Sequence, residues 1–255
     1  MIGWSFKRCF RAMVFAVAAT GISTSAHASQ VLVSAAASLT DALRDVAKVY
    51  ETAHPDVQIT LTFAASDVLV RQIVHGAPVD IFLSADQRAM DKAVQAGVIQ
   101  AGSRHDFVRN ELVMVAPADD PAITGLDSLS DSSVTRVAYG NPASVPAGRY
   151  TREALKKQGA WDTVKNKQVL GQNVRQVLSY VGRGEVDAGF VFATDAAVRA
   201  DTVRVVSTLS SPESILYPAA LVQRDQQSSA AQDFLDYLLS DDAQERLKVH
   251  GFGAP

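Results

Sequence analysis

Apolar residues along this chain recur with two different periods, in alternation. Val31, Leu32 and Val33 form a short apolar run that predicts a strand, and Leu39, Leu43, Val46, Ala47 and Tyr50 then fall at helical spacing over residues 39–50. Ile59, Leu61 and Phe63 alternate as a half-buried strand does, and Leu69, Ile73 and Val74 return to the helical period. Residues 80–83 predict the next strand, 86–96 a helix stopped at Gly97, and 112–115 a further strand. A second series follows, with strand 134–139, helix 150–158 ended by Gly159, a short strand around Val169 and helix 175–183 stopped at Gly184. Strands 189–192, 203–206 and 219–222 and one long helix over 230–248 complete it. Strands separated by helices at this spacing predict an α/β fold, with parallel sheets covered by helices on both faces. The length suits two modest domains, and the stretches 112–115 and 217–222 resemble extended crossings between them.

The N-terminus departs from this pattern. Lys7, Arg8 and Arg11 make a basic start, residues 12–22 are apolar and small, and Ala26-His27-Ala28 has the small-x-small form that signal peptidase accepts. Residues 1–28 are therefore expected to be a signal peptide, cut between Ala28 and Ser29. The apolar run falls short of the ~20 residues that a membrane span needs. Arg8-Cys9-Phe10-Arg11 is not a twin-arginine pair, and Cys9 precedes the apolar run, so it cannot be a lipid-bearing first residue. Cys9 is the sole cysteine, and the exported chain is expected to rely on burial alone.

Charge narrows the choice of partner. Loss of Lys7, Arg8 and Arg11 takes the net charge from −3 to −6, which argues against a nucleic-acid partner. An anionic ligand would have to be held by local donors, because the global field repels it.

Four strand-to-helix junctions offer such donors. Ligands of open α/β sheets sit beyond the carboxyl ends of strands, where helix N-termini present unpaired N–H groups and partial positive charge. Ser38 lies in Ser34-Ala35-Ala36-Ala37-Ser38-Leu39-Thr40 and Ser66 in Phe63-Ala64-Ala65-Ser66-Asp67. Asn141-Pro142-Ala143-Ser144-Val145-Pro146-Ala147-Gly148 precedes one second-half helix, and Gln172-Asn173-Val174 the other. A serine before a helix is ordinarily just an N-cap, and Ala147 or Val174 alone carries no chemical signal. Together, four N-termini can cage an anion.

These segments carry a resemblance. Ala35-Ala36-Ala37-Ser38-Leu39-Thr40, Phe63-Ala64-Ala65-Ser66 and the run from Arg71 to Asp86 closely resemble the periplasmic molybdate-binding proteins of ABC importers. Val145-Pro146-Ala147-Gly148-Arg149-Tyr150, Gly159-Ala160-Trp161-Asp162, Asn173-Val174-Arg175, Thr194-Asp195-Ala196, Leu216-Tyr217-Pro218 and Gly251-Phe252 extend the match over the mature chain. The resemblance implies a two-lobed clamp with a double hinge, each lobe a mostly parallel sheet flanked by helices. Lobe I is expected over 29–112 plus 218–255 and lobe II over 113–217. It implies that Ser38 and Ser66 bind the anion through hydroxyl and backbone N–H, and that Ala147 and Val174 donate backbone N–H groups. The cargo would be molybdate or tungstate, with no cofactor and no direct bond from protein to molybdenum. The protein would be a periplasmic monomer whose partners are a membrane permease and its ATPase.

Molybdate at neutral pH is a fully deprotonated dianion and only accepts hydrogen bonds. A site built solely of donors suits it, and suits tungstate and sulfate equally. Hydrogenphosphate carries a proton and calls for an acceptor. Sulfate and phosphate are therefore the alternative cargoes. Two positions depart from the family pattern. Phe192 stands where the family usually has a tyrosine whose hydroxyl donates to the anion, a loss of roughly 1.5–3 kcal/mol. Asp67 stands where Ser or Gly is common, and is expected in the first turn of its helix, pointing away.

An enzyme is the rival from another class. His54, His75, His105 and His250 lie in no motif, no Gly-x-Ser-x-Gly elbow is present, and no cluster has metal-ligand spacing. Asp119-Asp120 reads as a polar turn and Asp241-Asp242 as the start of a helix.

Overall fold

A computed structural model describes residues 1–2, 28–226 and 228–255. The basic start and apolar run of the expected signal peptide lie outside the described residues. The chain runs β1 (Ser29–Ala36), a 3-10 turn (Ala37–Leu39), α1 (Thr40–Ala53), β2 (Val57–Ala64), α2 (Ser66–Val74), β3 (Ile81–Leu83), α3 (Gln87–Gln95), β4 (His105–Asn110) and β5 (Leu112–Pro117). It continues with β6 (Val137–Gly140), α4 (Pro146–Lys157), α5 (Trp161–Lys165), β7 (Gln168–Gly171), α6 (Val174–Gly182), β8 (Ala188–Phe192) and α7 (Ala193–Val198). The last elements are β9 (Val203–Leu209), β10 (Ile215–Leu221), α8 (Ser229–Leu238) and α9 (Asp241–Val249).

The strands form two five-stranded sheets, ordered β2-β1-β3-β10-β4 and β7-β6-β8-β5-β9. Both are mixed. β2, β1 and β3 are parallel, as are β7, β6 and β8, whereas β10 and β4 in the first sheet and β5 and β9 in the second make antiparallel pairs. The chain passes between the sheets twice, at Glu111 between β4 and β5 and at residues 210–214 between β9 and β10. Hydrophobicity marks strands but not their direction, so the antiparallel pairs could not be read from it.

Side-chain alternation divides the first sheet between two helical layers. Ile81 and Leu83 pack with Val31, Val33, Leu43, Phe234 and Leu235 on one face, while Phe82 and Ala220 pack with Leu69, Ile73 and Met90 on the other. Not foreseen were β4, α5, α7 and a 3-10 helix over Leu126–Ser130. The helix expected over 230–248 is broken after Leu239, where the Ser240 side chain accepts from Ala243 N–H and starts α9. Among the described residues no helix is long and apolar enough to cross a membrane.

Register aligns the junctions. β1 and β2 pair from Ser29↔Val57 to Ala36↔Ala64, so both end level, and Ser38 and Ser66 each follow two residues beyond. β6 and β7 likewise end level at Gly140↔Gly171, ahead of α4 and α6.

Candidate functional site

The carboxyl ends of the parallel strands of both sheets face one narrow cleft, lined by Ser38, Ser66, Ala147, Val174 and Phe192 together with neighbouring small residues. All five predicted positions are brought together there. Each is buried, and none of the lining residues carries a charge. Asp67 does not line the cleft. It occupies the first turn of α2 and pairs with Lys92 and Arg149.

Neither serine serves as an N-cap. The 3-10 turn leading into α1, α2 and α4 has no side-chain cap, so the first N–H groups of each, apart from Pro146, are left for another acceptor. In α6 the Asn173 side chain accepts from Gln176 N–H, leaving the Val174 N–H uncapped. Ser66 Oγ accepts the Ala85 N–H at 3.0 Å, which leaves its own O–H to donate. Ser38 Oγ lies 2.9 Å from the Tyr217 hydroxyl, which also receives the Asn110 side-chain amide at 3.2 Å. Phe192 meets Tyr217 edge-on, with ring centroids 5.7 Å apart, and closes one wall of the cleft without a donor.

Two glycines let α4 approach the strand end. A Cβ on Gly148 would stand 1.7 Å from the Gly140 carbonyl oxygen, so only glycine permits the contact that brings Ala147 to the cleft.

Arginines flank the cleft without entering it. Arg149 of α4 reaches across to the first sheet's helices, where Asp86 Oδ2 accepts from its Nε at 2.8 Å and its Nη2 at 2.5 Å. Its Nη1 lies 2.6 Å from Asp67 Oδ2, a close charge contact without hydrogen-bond alignment. Arg175 of α6 pairs with Asp41 of α1 at 2.6 Å and with Asp195 at 2.5 Å. Asp195 is wholly buried with Oδ2 unpaired, and burial pushes its pKa up to about 6 despite the Arg175 guanidinium. With both arginines matched to carboxylates, stabilisation of an anion in the cleft falls to hydroxyl and N–H dipoles.

The ion pairs and the hydrogen bonds behind the serines were not foreseen. Arg149 and Arg175 follow Ala147 and Val174 by two positions and one, and that spacing alone named no partner.

The chain from residue 31 to 253 matches the family model described as bacterial extracellular solute-binding protein. It is 39% identical over 251 residues to a molybdate-binding protein of Escherichia coli, covering 94% of both chains. It is 38% identical over 247 residues to one of Haemophilus influenzae, covering 93% of this chain and 95% of that one. The periplasmic molybdate-binding protein of Azotobacter vinelandii shares the fold, with a TM-score of 0.76 at 22% identity over 88% of this chain and 99% of that one. With so nearly complete a match in sequence, and two sheets facing one uncharged cleft, the chain belongs to the bacterial extracellular solute-binding proteins.

Proposed function

We propose that this protein captures molybdate between its two lobes and delivers it to a membrane permease driven by an ATPase. The observation that carries this reading is the cleft itself. It is uncharged, edged by helix N-termini without side-chain caps, and holds two serine hydroxyls whose oxygens already have protein partners. Such a lining offers donors and suits an oxyanion bearing no proton. Two molybdate-binding relatives at 39% and 38% identity point the same way.

In this reading Ser38 and Ser66 donate through hydroxyl and N–H, Ala147 and Val174 through N–H, and Phe192 fills the fifth position without a hydroxyl. Tungstate, with the same charge and geometry, binds as well. The two sheets with their helices, residues 29–110 with 215–255 and residues 112–209, move as two lobes about the paired crossings at Glu111 and residues 210–214. These limits lie a few residues off the boundaries of 29–112 with 218–255 and 113–217 expected from the sequence. The protein acts as a monomer in the periplasm, after removal of residues 1–28, and performs no catalysis.

The test is calorimetric titration of the purified mature protein with molybdate, tungstate, sulfate and hydrogenphosphate. Molybdate and tungstate should bind with one site per chain and well ahead of sulfate. Molybdate binding no tighter than sulfate overturns the cargo, and heat from hydrogenphosphate alone points to an acceptor in the cleft. Ser38→Ala and Ser66→Ala should each weaken molybdate about 10- to 100-fold, the range for a hydrogen bond to a charged group.

A further inference from the structure

Tyr217 is wholly buried behind Ser38, at the back of the cleft and not among its lining residues. Its surroundings determine which way its proton points. The Asn110 side chain is oriented because its Oδ1 accepts the Glu111 N–H at 2.9 Å. Its Nδ2 therefore faces the other way and donates to Thr194 Oγ1 at 2.8 Å and to the Tyr217 oxygen at 3.2 Å. Among the described residues Ser38 Oγ, at 2.9 Å, is the one remaining hydrogen-bond partner of the Tyr217 hydroxyl. If Ser38 donated instead, a buried O–H would be left with no acceptor, which carries a full desolvation penalty. Burial also pushes the Tyr217 pKa well above its usual value, so the proton stays in place.

We propose that Tyr217 is a positioning residue: it accepts from the Asn110 amide, donates to Ser38, and so holds the Ser38 hydroxyl as an obligate donor toward the cleft. Ser66, whose oxygen is occupied by the Ala85 N–H, is held in the same sense. With a protein donor already on each oxygen, both hydroxyls turn their hydrogen to the ligand, which favours an anion bearing no proton. The cleft discriminates by protonation state as well as by size, and rejects anions such as hydrogenphosphate whose O–H would be buried without a partner. Asn110 adds a connection to closure, since it precedes the crossing at Glu111 and its other amide hydrogen reaches Thr194 on α7, beside the second sheet.

This role rests on the proposed oxyanion function, and a double-mutant cycle separates the two. Wild type, Tyr217→Phe, Ser38→Ala and the double variant are titrated with molybdate and with hydrogenphosphate, and their folding is checked by thermal melting. Tyr217→Phe should weaken molybdate about 3- to 10-fold, the effect of one neutral hydrogen bond, and narrow its preference over hydrogenphosphate. In the Ser38→Ala background the same substitution should change molybdate affinity less than about twofold, because the residue through which Tyr217 acts is gone. An equal loss in both backgrounds overturns the relay and leaves oxyanion binding intact. Wild-type protein that binds none of the anions overturns the function and this role with it. Should Tyr217→Phe fail to fold, the cycle is repeated with Asn110→Asp, which sets an acceptor opposite Tyr217 and draws its proton away from Ser38. Its coupling to Ser38→Ala is the quantity read, so the added charge cancels, and additivity again overturns the relay.

Discussion

Arg149 and Asp86 join the two halves of the molecule through a buried two-pronged contact, with guanidinium nitrogens 2.5 and 2.8 Å from one carboxylate oxygen. Asp86 is also the N-cap of α3, accepting the Ala89 N–H at 3.0 Å, so the pair ties α3 of one lobe to α4 of the other. Removing one partner of such a pair strands the other, typically at a cost of about 3–5 kcal/mol. Opening the cleft would return both groups to water, so the cost falls on the closed form. Arg149→Met should therefore weaken molybdate by at least about tenfold and shrink the rise in melting temperature on adding ligand. A ligand-induced shift equal to that of wild type would mean the pair contributes nothing to closure.

Gly148→Ala sets a methyl group against the backbone of Gly140, where no side-chain motion relieves the clash. The start of α4 must shift, taking the Ala147 N–H with it. Denaturant unfolding should show a loss of about 1–3 kcal/mol, and the affinity for molybdate should fall. Gly125→Ala, at a position open to space, serves as the neutral control.

Phe192→Tyr restores a hydroxyl at a position that is only 1% exposed. In the open, ligand-free form water reaches that hydroxyl, so the melting temperature without ligand should change little. With molybdate it donates to the anion, so affinity should rise about 10- to 100-fold at unchanged stoichiometry. Unchanged or weaker affinity in calorimetry would show that the cleft has packed around the phenyl ring.

Asp195 predicts a pH dependence of stability. Its folded pKa, about 6, lies above the usual carboxylate value of 3.8, so between those limits the folded state binds the proton more tightly than the unfolded. Its contribution to stability therefore grows as pH falls from about 6 toward 4 and is lost as pH rises through 6. Asp195→Asn removes that slope, and the difference between variant and wild-type melting temperatures should change across this window. Parallel profiles would sink the assignment.

The alternation of strands and helices was legible because elements of ordinary length announce themselves by period, while the two-lobed clamp came from the family resemblance. Periodicity missed β4, where His105, Asp106 and Arg109 flank an apolar pair of only Phe107 and Val108, and α7, whose six residues span too few turns to show a stripe. The cleft was legible at Ser38 and Ser66, where hydroxyls sit next to a strand end, and at Ala147 and Val174 only through the family resemblance. Its supports were not. Asn110 and Tyr217 lie 107 residues apart, and Arg149 and Asp86 lie 63 apart, so only the folded sheets bring them together.

The strand orders also dictate when each half can be finished during synthesis. β5 to β9 are consecutive in the chain, so the second sheet has all its strands once Leu209 has emerged. The first sheet begins earlier yet waits for β10, which inserts between β3 and β4. Until residue 221 is free, β3 presents an open edge and β4 lacks the neighbour that pairs it to the sheet, the state in which strands are most prone to join another chain. The half that starts first is completed last, and a carrier that shields residues 81–110 in the interval would guard the vulnerable stage.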